Sequence, residues 1–264
     1  MRRMRPAASL IAAITLCAGA VAGCTDVVQT IAESVVRGTG VSQPLGRTPI
    51  VEVDPPDPSL ASHPAVTEAA HSVVKIRTVA ATCQKILESS GFVIAPNRVM
   101  TNAHVVAGGN SSTVSVDGED HAATVVVYDP NEDISILDVP GLQAPPLAFA
   151  DAEAPKGADA VIMAYPGGGS FAATPARIRE VIKLDGPDIY RTTSVKREVY
   201  MIRGSVRQGD SGGPLIDLNG RVLGVVFGAS VDDPDTGFVL TAKQVSAQAT
   251  ADGSQPAATG ACVG

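Results

Sequence analysis

The sequence contains no tryptophan, and five Phe and four Tyr bring its aromatic content to only 3% of 264 residues. A module that stacks nucleic-acid bases needs exposed rings, and this chain has few to offer. Basic residues are in deficit too: 20 Lys and Arg face 27 Asp and Glu, for a formal net charge of −7. That sign disfavours binding to a phosphate backbone, so nucleic acid is excluded as a main partner. Cysteine is scarce. Cys17, Cys24, Cys83 and Cys262 are the whole set, and no C-x-x-C occurs, which removes the usual zinc and redox spacings. No metal or cofactor is expected. No apolar run reaches the roughly 20 residues that a membrane-spanning helix needs. What is present is aliphatic. Hydrophobic residues make up 45% of the chain and charged ones 18%, enough for a sizeable core of Val, Ile, Leu and Ala.

The first nine residues, MRRMRPAAS, carry three Arg and no acid, and a 14-residue apolar run follows from Leu10 to Gly23. A basic head, a short apolar middle and a small-residue end read as a secretory signal. Its last residues, Val21-Ala22-Gly23-Cys24, resemble a bacterial lipobox. The resemblance implies cleavage before Cys24 and lipidation of that residue. The protein is then exported and held on the outer face of the cytoplasmic membrane. Beyond it, DVVQTIAESVVRG places Val27, Val28, Ile31, Val35 and Val36 on one side of a helix that Asp26 can cap. Membrane surface and main domain are both open as its resting place. From Gly38 to Pro64 the text is rich in Gly, Pro, Ser and Asp, as in EVDPPDPSLASHP, which describes a semi-rigid spacer. Residues 1–23 are thus read as signal and 24–66 as tether.

From residue 67 the pattern changes to short strands. SVVKIRTV alternates, and YMIRGSV, RVLGVVF and GFVL are apolar runs punctuated by DPNED, YPGGG, DGPD, DLNG and DDPDTG. Many short strands with regular turns predict an all-β sandwich or barrel. The length suits two barrels dividing near Pro145-Pro146: 67–146, then 147–247, with a tail over 248–264. Helical text is confined to AHVV and to the stretch from Thr241 to about Thr250.

The strongest local text is Gly209-Asp210-Ser211-Gly212-Gly213-Pro214-Leu215. Small residues beside a Ser allow a tight turn that exposes its hydroxyl and lets a substrate carbonyl approach main-chain N–H groups. The same G-x-S-x-G occurs in α/β-hydrolases, where the His follows the Ser. Here His63, His71, His104 and His121 all precede Ser211, so that fold lacks its base. Asp26, Asp54 and Asp57 are the Asp residues before His104, and all lie in the tether, which disposes of a subtilisin-like order. The surviving order is His, Asp, Ser. His104 follows the apolar strand GFVIAPNRVM on a tight turn. Asp133 opens the alternating run DISIL, where an acid is semi-buried and fixed. Asp129, in a DP turn, and Asp138, at the strand end, are its rivals.

TNAHVV, DISIL and GDSGGPL together resemble the trypsin-like serine peptidases, with separations of 29 and 78 residues that suit compact bacterial members. Longer stretches, among them YPGGGSFAATPARIREVI, VYMIRGSVRQGDSGGPLIDLNGRVLGVVFGASVDDPDTGFVLT and the terminal TGACV, resemble the actinobacterial acid-resistance periplasmic serine protease family over about residues 67 to 264. The resemblance implies two packed six-stranded antiparallel barrels with a short C-terminal helix. It assigns His104, Asp133 and Ser211 as a catalytic triad and the backbone N–H groups of Gly209 and Ser211 as an oxyanion hole. Members of that family carry N-terminal membrane helices, whereas this chain offers the lipobox instead. Cys83 and Cys262, which remain after processing, read as a disulfide in an exported protein, and the resemblance supports the pairing.

Ser205, six residues before the nucleophile, is not acidic, which argues for a small or apolar residue at the cleavage site. Val226, Phe227 and Gly228 are expected to line that pocket. Asp210 is the position that receives a freed N-terminus in secreted zymogens, and Arg47–Val51 or a site near Arg77 would be the cut. Two function classes follow: a monomeric endopeptidase acting on envelope proteins and peptides, or a catalytically silent lipoprotein that binds them in the same cleft. The Cys24→Ala variant is expected to move from the membrane to the soluble fraction, and unchanged fractionation would refute the lipobox.

Overall fold

The strand pattern of the sequence closes on itself twice. The computed structural model describes residues 50–263; the signal, Cys24, the amphipathic stretch and the spacer as far as residue 49 lie outside the described residues. The first six strands are β1 (Val73–Ala80), β2 (Lys85–Ala95), β3 (Arg98–Thr101), β4 (Ser111–Val116), β5 (Glu119–Asp129) and β6 (Ile134–Asp138). They form a closed barrel in the order β1-β2-β3-β6-β5-β4. The next six are β7 (Asp159–Ala164), β8 (Ala172–Pro187), β9 (Ser194–Arg203), β10 (Pro214–Ile216), β11 (Val222–Ala229) and β12 (Thr236–Thr241). They close in the order β10-β11-β12-β9-β8-β7. Short helices α1 (Pro64–Ala69), α2 (Ala103–Val106) and α3 (Ser246–Ala249) complete the set. The all-β, two-barrel expectation is met, including the short C-terminal helix.

Side chains on a strand alternate between faces, and here both faces find apolar neighbours. Val74, Ile76, Val93, Val99, Val114 and Leu137 fill the first barrel. Ile162, Ile178, Tyr200, Ile202, Leu215 and Val239 fill the second. The opposite faces of the same strands meet between the barrels. Val73, Phe92, Met100, Ile134 and Ile136 from one side pack with Val161, Met163, Ile216, Val225 and Leu240 from the other. Each such side chain contributes about 1.5–3 kcal/mol when fully buried.

Residues 50–66, read from composition as spacer, are folded onto the barrels. Asp57 accepts the Ser59 N–H at 2.8 Å and caps a 3₁₀ turn over Pro58–Ser62. His63 Nδ1 accepts the Ala65 N–H at 3.3 Å and caps α1. Both turns begin on a proline, whose fixed φ suits the first helical position. Leu60 and Val66 enter the shared core. Upstream, Arg179 of β8, only 2% exposed, donates to the Val51 carbonyl at 2.9 Å. Arg203 of β9 donates to the Val53 carbonyl at 2.6 Å. The Glu52 carboxylate lies 3.6 Å from Arg179.

At the other end the chain leaves the second barrel and lies on the first. The Ala257 N–H donates to Val125 at 2.8 Å, and the Gly108 N–H donates to Thr259 at 3.0 Å. Lys85 Nζ reaches the Val263 carbonyl at 2.9 Å. Cys83 and Cys262 are bridged there, with Cα atoms 6.1 Å apart. Removing residues 50–54 should lower stability to urea by about 1–3 kcal/mol, because the buried Arg179 loses its carbonyl partner. An unchanged unfolding midpoint would show that this segment is not part of the folded unit.

Candidate active site

Pairing of β3 with β6 sets Thr101 opposite Ser135, which brings the turn after β3 beside the residue before β6. His104 sits on α2 and Asp133 immediately before β6. The Asp133 Oδ2 accepts from His104 Nδ1 at 2.8 Å, and its Oδ1 accepts the His104 backbone N–H at 2.9 Å. Both carboxylate oxygens are acceptors, so Nδ1 carries the ring proton and Nε2 is left as the acceptor. The Asp133 side chain is 7% exposed and that of His104 is 32% exposed. One ring edge is thus held by the acid, while Nε2 on the other makes no hydrogen bond to Ser211 or to any other protein group among the described residues.

Asp133 has φ of +58°, in the left-handed region that is strained for a residue with a Cβ. Several contacts hold it there. Asn102 Nδ2 donates to the Asp133 carbonyl at 2.8 Å. The loop before it is propped from the second barrel. Buried Arg197 donates to the carbonyl of Asn131 and to that of Pro187, and Ile189 N–H reaches Pro130. The two rivals are engaged elsewhere. Asp129 accepts the Asn131 and Glu132 N–H groups at 3.0 Å and caps its own turn. Asp138 pairs with Arg98 at 2.5 Å. Burial pulls the His104 pKa down, but the charge of Asp133 and the hydrogen bond to it outweigh burial. The ring is held above its ordinary value.

Ser211 lies on a loop whose glycines are required. Gly209 has φ of +93° and Gly212 φ of +80°. A Cβ on Gly209 would run into the Gly167 backbone, and one on Gly212 would meet Thr101 and Ser90. The Ser211 carbonyl accepts the Ser90 N–H at 3.1 Å and the Ser89 hydroxyl at 2.6 Å. Among the described residues, the N–H groups of Gly209 and Ser211 donate to no protein acceptor. They are two unused donors beside a serine hydroxyl, the arrangement that receives a developing oxyanion. Asp210 is fully buried. It accepts the Arg207 N–H at 2.8 Å through one oxygen, while the other has no partner in the protein. Burial pushes its carboxyl up.

The expected pocket residues divide. Ser205 is exposed. A Cβ on Gly228 would meet nothing within 4 Å, so that wall is open. Phe227 is half-buried and packs on Phe238, with ring centroids 6.5 Å apart. Val226 differs from the expectation. Its side chain is wholly inside the second barrel, and its backbone alone meets the nucleophile loop, where its carbonyl accepts the Gly212 N–H. Alternation along β11 puts its neighbour Phe227, not Val226, on the outer face. Asp233 accepts from the Thr236 hydroxyl at 2.8 Å, a bond that holds its carboxyl below the usual range; it shapes its turn. The sequence reading passed over Ser89 and Ser90. The signal for them was two small polar residues inside a strand, just before the apolar GFVIA.

Two six-stranded barrels, a His–Asp pair on one and a glycine-flanked Ser on the other, define the class of the trypsin-like peptidases. The family model for a trypsin-like peptidase domain matches residues 89–225, just over half of the chain, and the chain belongs to that family. It is 60% identical over 225 residues to serine protease Rv3671c of Mycobacterium tuberculosis, covering 84% of this chain and 57% of that protein. The chain thus spans 57% of the length of that curated relative. The crystal structure of the active form of the M. tuberculosis protease superposes with a TM-score of 0.83 at 59% identity, covering 85% of this chain and all of that one. The inactive form gives 0.70 at 57% identity, covering 76% of this chain and all of that one. A probable periplasmic DegP-like serine endoprotease of Brucella suis is 31% identical over 179 residues, covering 64% of this chain and 34% of that protein.

The titration midpoint of His104, followed by NMR, is expected above that of a free histidine. In Asp133→Asn it should fall below it, because burial then acts unopposed. A midpoint that does not move would mean that the pair does not form.

Proposed function

We propose that this chain is a serine endopeptidase of the cell envelope that cleaves peptide bonds through an acyl-enzyme. One observation carries the reading: a His104–Asp133 pair accompanies a serine loop with two unused N–H donors. Asp133 fixes the tautomer of His104. His104 Nε2 takes the Ser211 proton as Oγ attacks the peptide carbonyl, and the Gly209 and Ser211 N–H groups bind the oxygen as it becomes negative. The imidazolium then protonates the leaving amine. Water repeats the sequence on the acyl-enzyme and frees Ser211. His104 must be neutral to begin, so its raised pKa places the acid limb of the rate profile above the ordinary histidine value. The exposed, uncharged Ser205 and the open wall at Gly228 support a small or apolar residue in the specificity pocket.

The basic head, apolar run and lipobox support export and an anchor at Cys24. The relatives named as periplasmic endoproteases agree with an envelope location. Residues 1–23 are then the signal; of residues 24–66, read as tether, the part before residue 50 keeps that role, and the protein is a monomer. Envelope oxidation keeps Cys83 and Cys262 paired. A fluorophosphonate probe should label Ser211, and Ser211→Ala should lose the label and lower kcat by about 10⁶. A wild-type protein that takes no label and cleaves no peptide would instead be a silent binder.

A further inference from the structure

The mechanism leaves Ser90 without a role. It lies in β2, on the first barrel, and is fully buried. A hydroxyl at that depth needs partners, and both of its partners belong to the second barrel. Its Oγ donates to the Gly209 carbonyl at 2.7 Å and accepts the Tyr165 N–H at 2.8 Å. Its own carbonyl is held by the Thr101 hydroxyl at 2.7 Å, so the strand carrying it is fixed from the side of His104.

Glycine takes positive and negative φ with similar ease. Nothing intrinsic to Gly209 therefore keeps it at φ of +93°, and rotation of the peptide before it would turn its N–H away from the cleft. Two bonds from outside the loop oppose that rotation. The Gly167 N–H donates to the Gln208 carbonyl at 2.8 Å, on the same peptide unit as the Gly209 N–H. Ser90 Oγ holds the carbonyl of the next unit. Because Tyr165 N–H donates to the Ser90 hydroxyl that in turn donates to Gly209, one chain of polarised bonds joins the two loops through the first barrel.

We infer that Ser90 is a positioning residue for the oxyanion hole: its hydroxyl, reaching across from the opposite barrel, holds Gly209 in the conformation that aims its N–H at the substrate oxygen. The inference rests on the reading of Ser211 as nucleophile. It separates Ser90 from an ordinary satisfied core serine, because the consequence of losing it lies in the transition state.

Ser90→Ala in the full chain leaves the Gly209 carbonyl and the Tyr165 N–H each one partner short with little change of volume. Its kcat per folded molecule should fall about 10–10²-fold, less than direct loss of an oxyanion donor, with KM changed by less than about threefold. Affinity for a peptide boronic acid, which forms a tetrahedral adduct on Ser211, should weaken by the same factor as kcat/KM. The pH midpoint of activity should stay in place, because His104 and Asp133 are untouched. Ser90→Thr, which keeps the hydroxyl, should recover most of the rate. Should Ser90→Ala not fold, Ser90→Cys, with its weaker donor, carries the same expectation. A kcat at the wild-type level in a folded variant lacking the hydroxyl, or a boronate affinity that does not follow kcat/KM, overturns the inference. Ser211→Ala run beside it tests the parent reading. If that variant still forms the boronate adduct, Ser211 is not the nucleophile. If it does not, and Ser90→Ala matches wild type, the role of Ser90 alone fails.

Discussion

The packing of one barrel against the other is the constraint on which the site depends. Phe92, Met100, Ile134 and Ile136 bury one face of the first barrel against Val161, Met163, Ile216, Val225 and Leu240 of the second. Several of these lie next to functional groups in the chain. Ile134 follows Asp133, and Met100 precedes the turn that carries His104. The apolar contact that stabilises the fold is thus the same contact that seats the strands beside His104 and Asp133 against the barrel that carries Ser211. Interiors are close-packed and resist small displacements, so the seating is well defined without any bond crossing the cleft at the reacting atoms.

Within that frame the His104–Asp133 pair ties stability to pH. The His104 pKa is raised in the folded protein. Its stabilising contribution is therefore fully present below the unfolded pKa and is lost as pH rises through the folded one. The proposed mechanism needs the neutral ring, so under it the pair contributes least to stability where activity is expected. Asp133 adds strain through its positive φ, a cost of order 1–3 kcal/mol that the surrounding bonds offset. Both features bear on the roles proposed for His104 and Asp133.

How much of this was legible in the sequence depended on how local the signal was. GDSGGPL and TNAHVV are short stretches whose small residues and order of His, Asp and Ser point to a chemistry by themselves. Asp133 was preferred to Asp129 and Asp138 on a local sign too, the alternating DISIL run that it opens, and the β3–β6 pairing that sets Thr101 opposite Ser135 supplies the physical reason. Proline misled the reading of 50–66, since a spacer and the first position of a short helix favour it alike; Pro58 and Pro64 occupy the latter. Val226 was misassigned to the pocket because β11 is buried on both faces, which removes the alternation that would separate core from wall. Ser90 was invisible for a related reason. A small polar residue in a strand reads as weak β-propensity, and its value appears only when the other barrel supplies a carbonyl and an N–H.

The segments flanking the two barrels bear on the same seating. Residues 50–54 are strapped to the second barrel through Arg179 and Arg203, whereas the tail leaves that barrel and is bonded to the first as far as the Cys83–Cys262 bridge. A slip between the barrels would reach both loops of the candidate site. His104 and Asp133 sit on one barrel and would keep the bonds between them, but the loop before Asp133 would part from Arg197 and Ile189 of the second. Gly209 and Ser211 sit on the other, and their carbonyls would part from Ser89 and Ser90. A tail crossing from one barrel to the other, fixed by the Cys83–Cys262 bridge, therefore restrains the seating on which both loops draw.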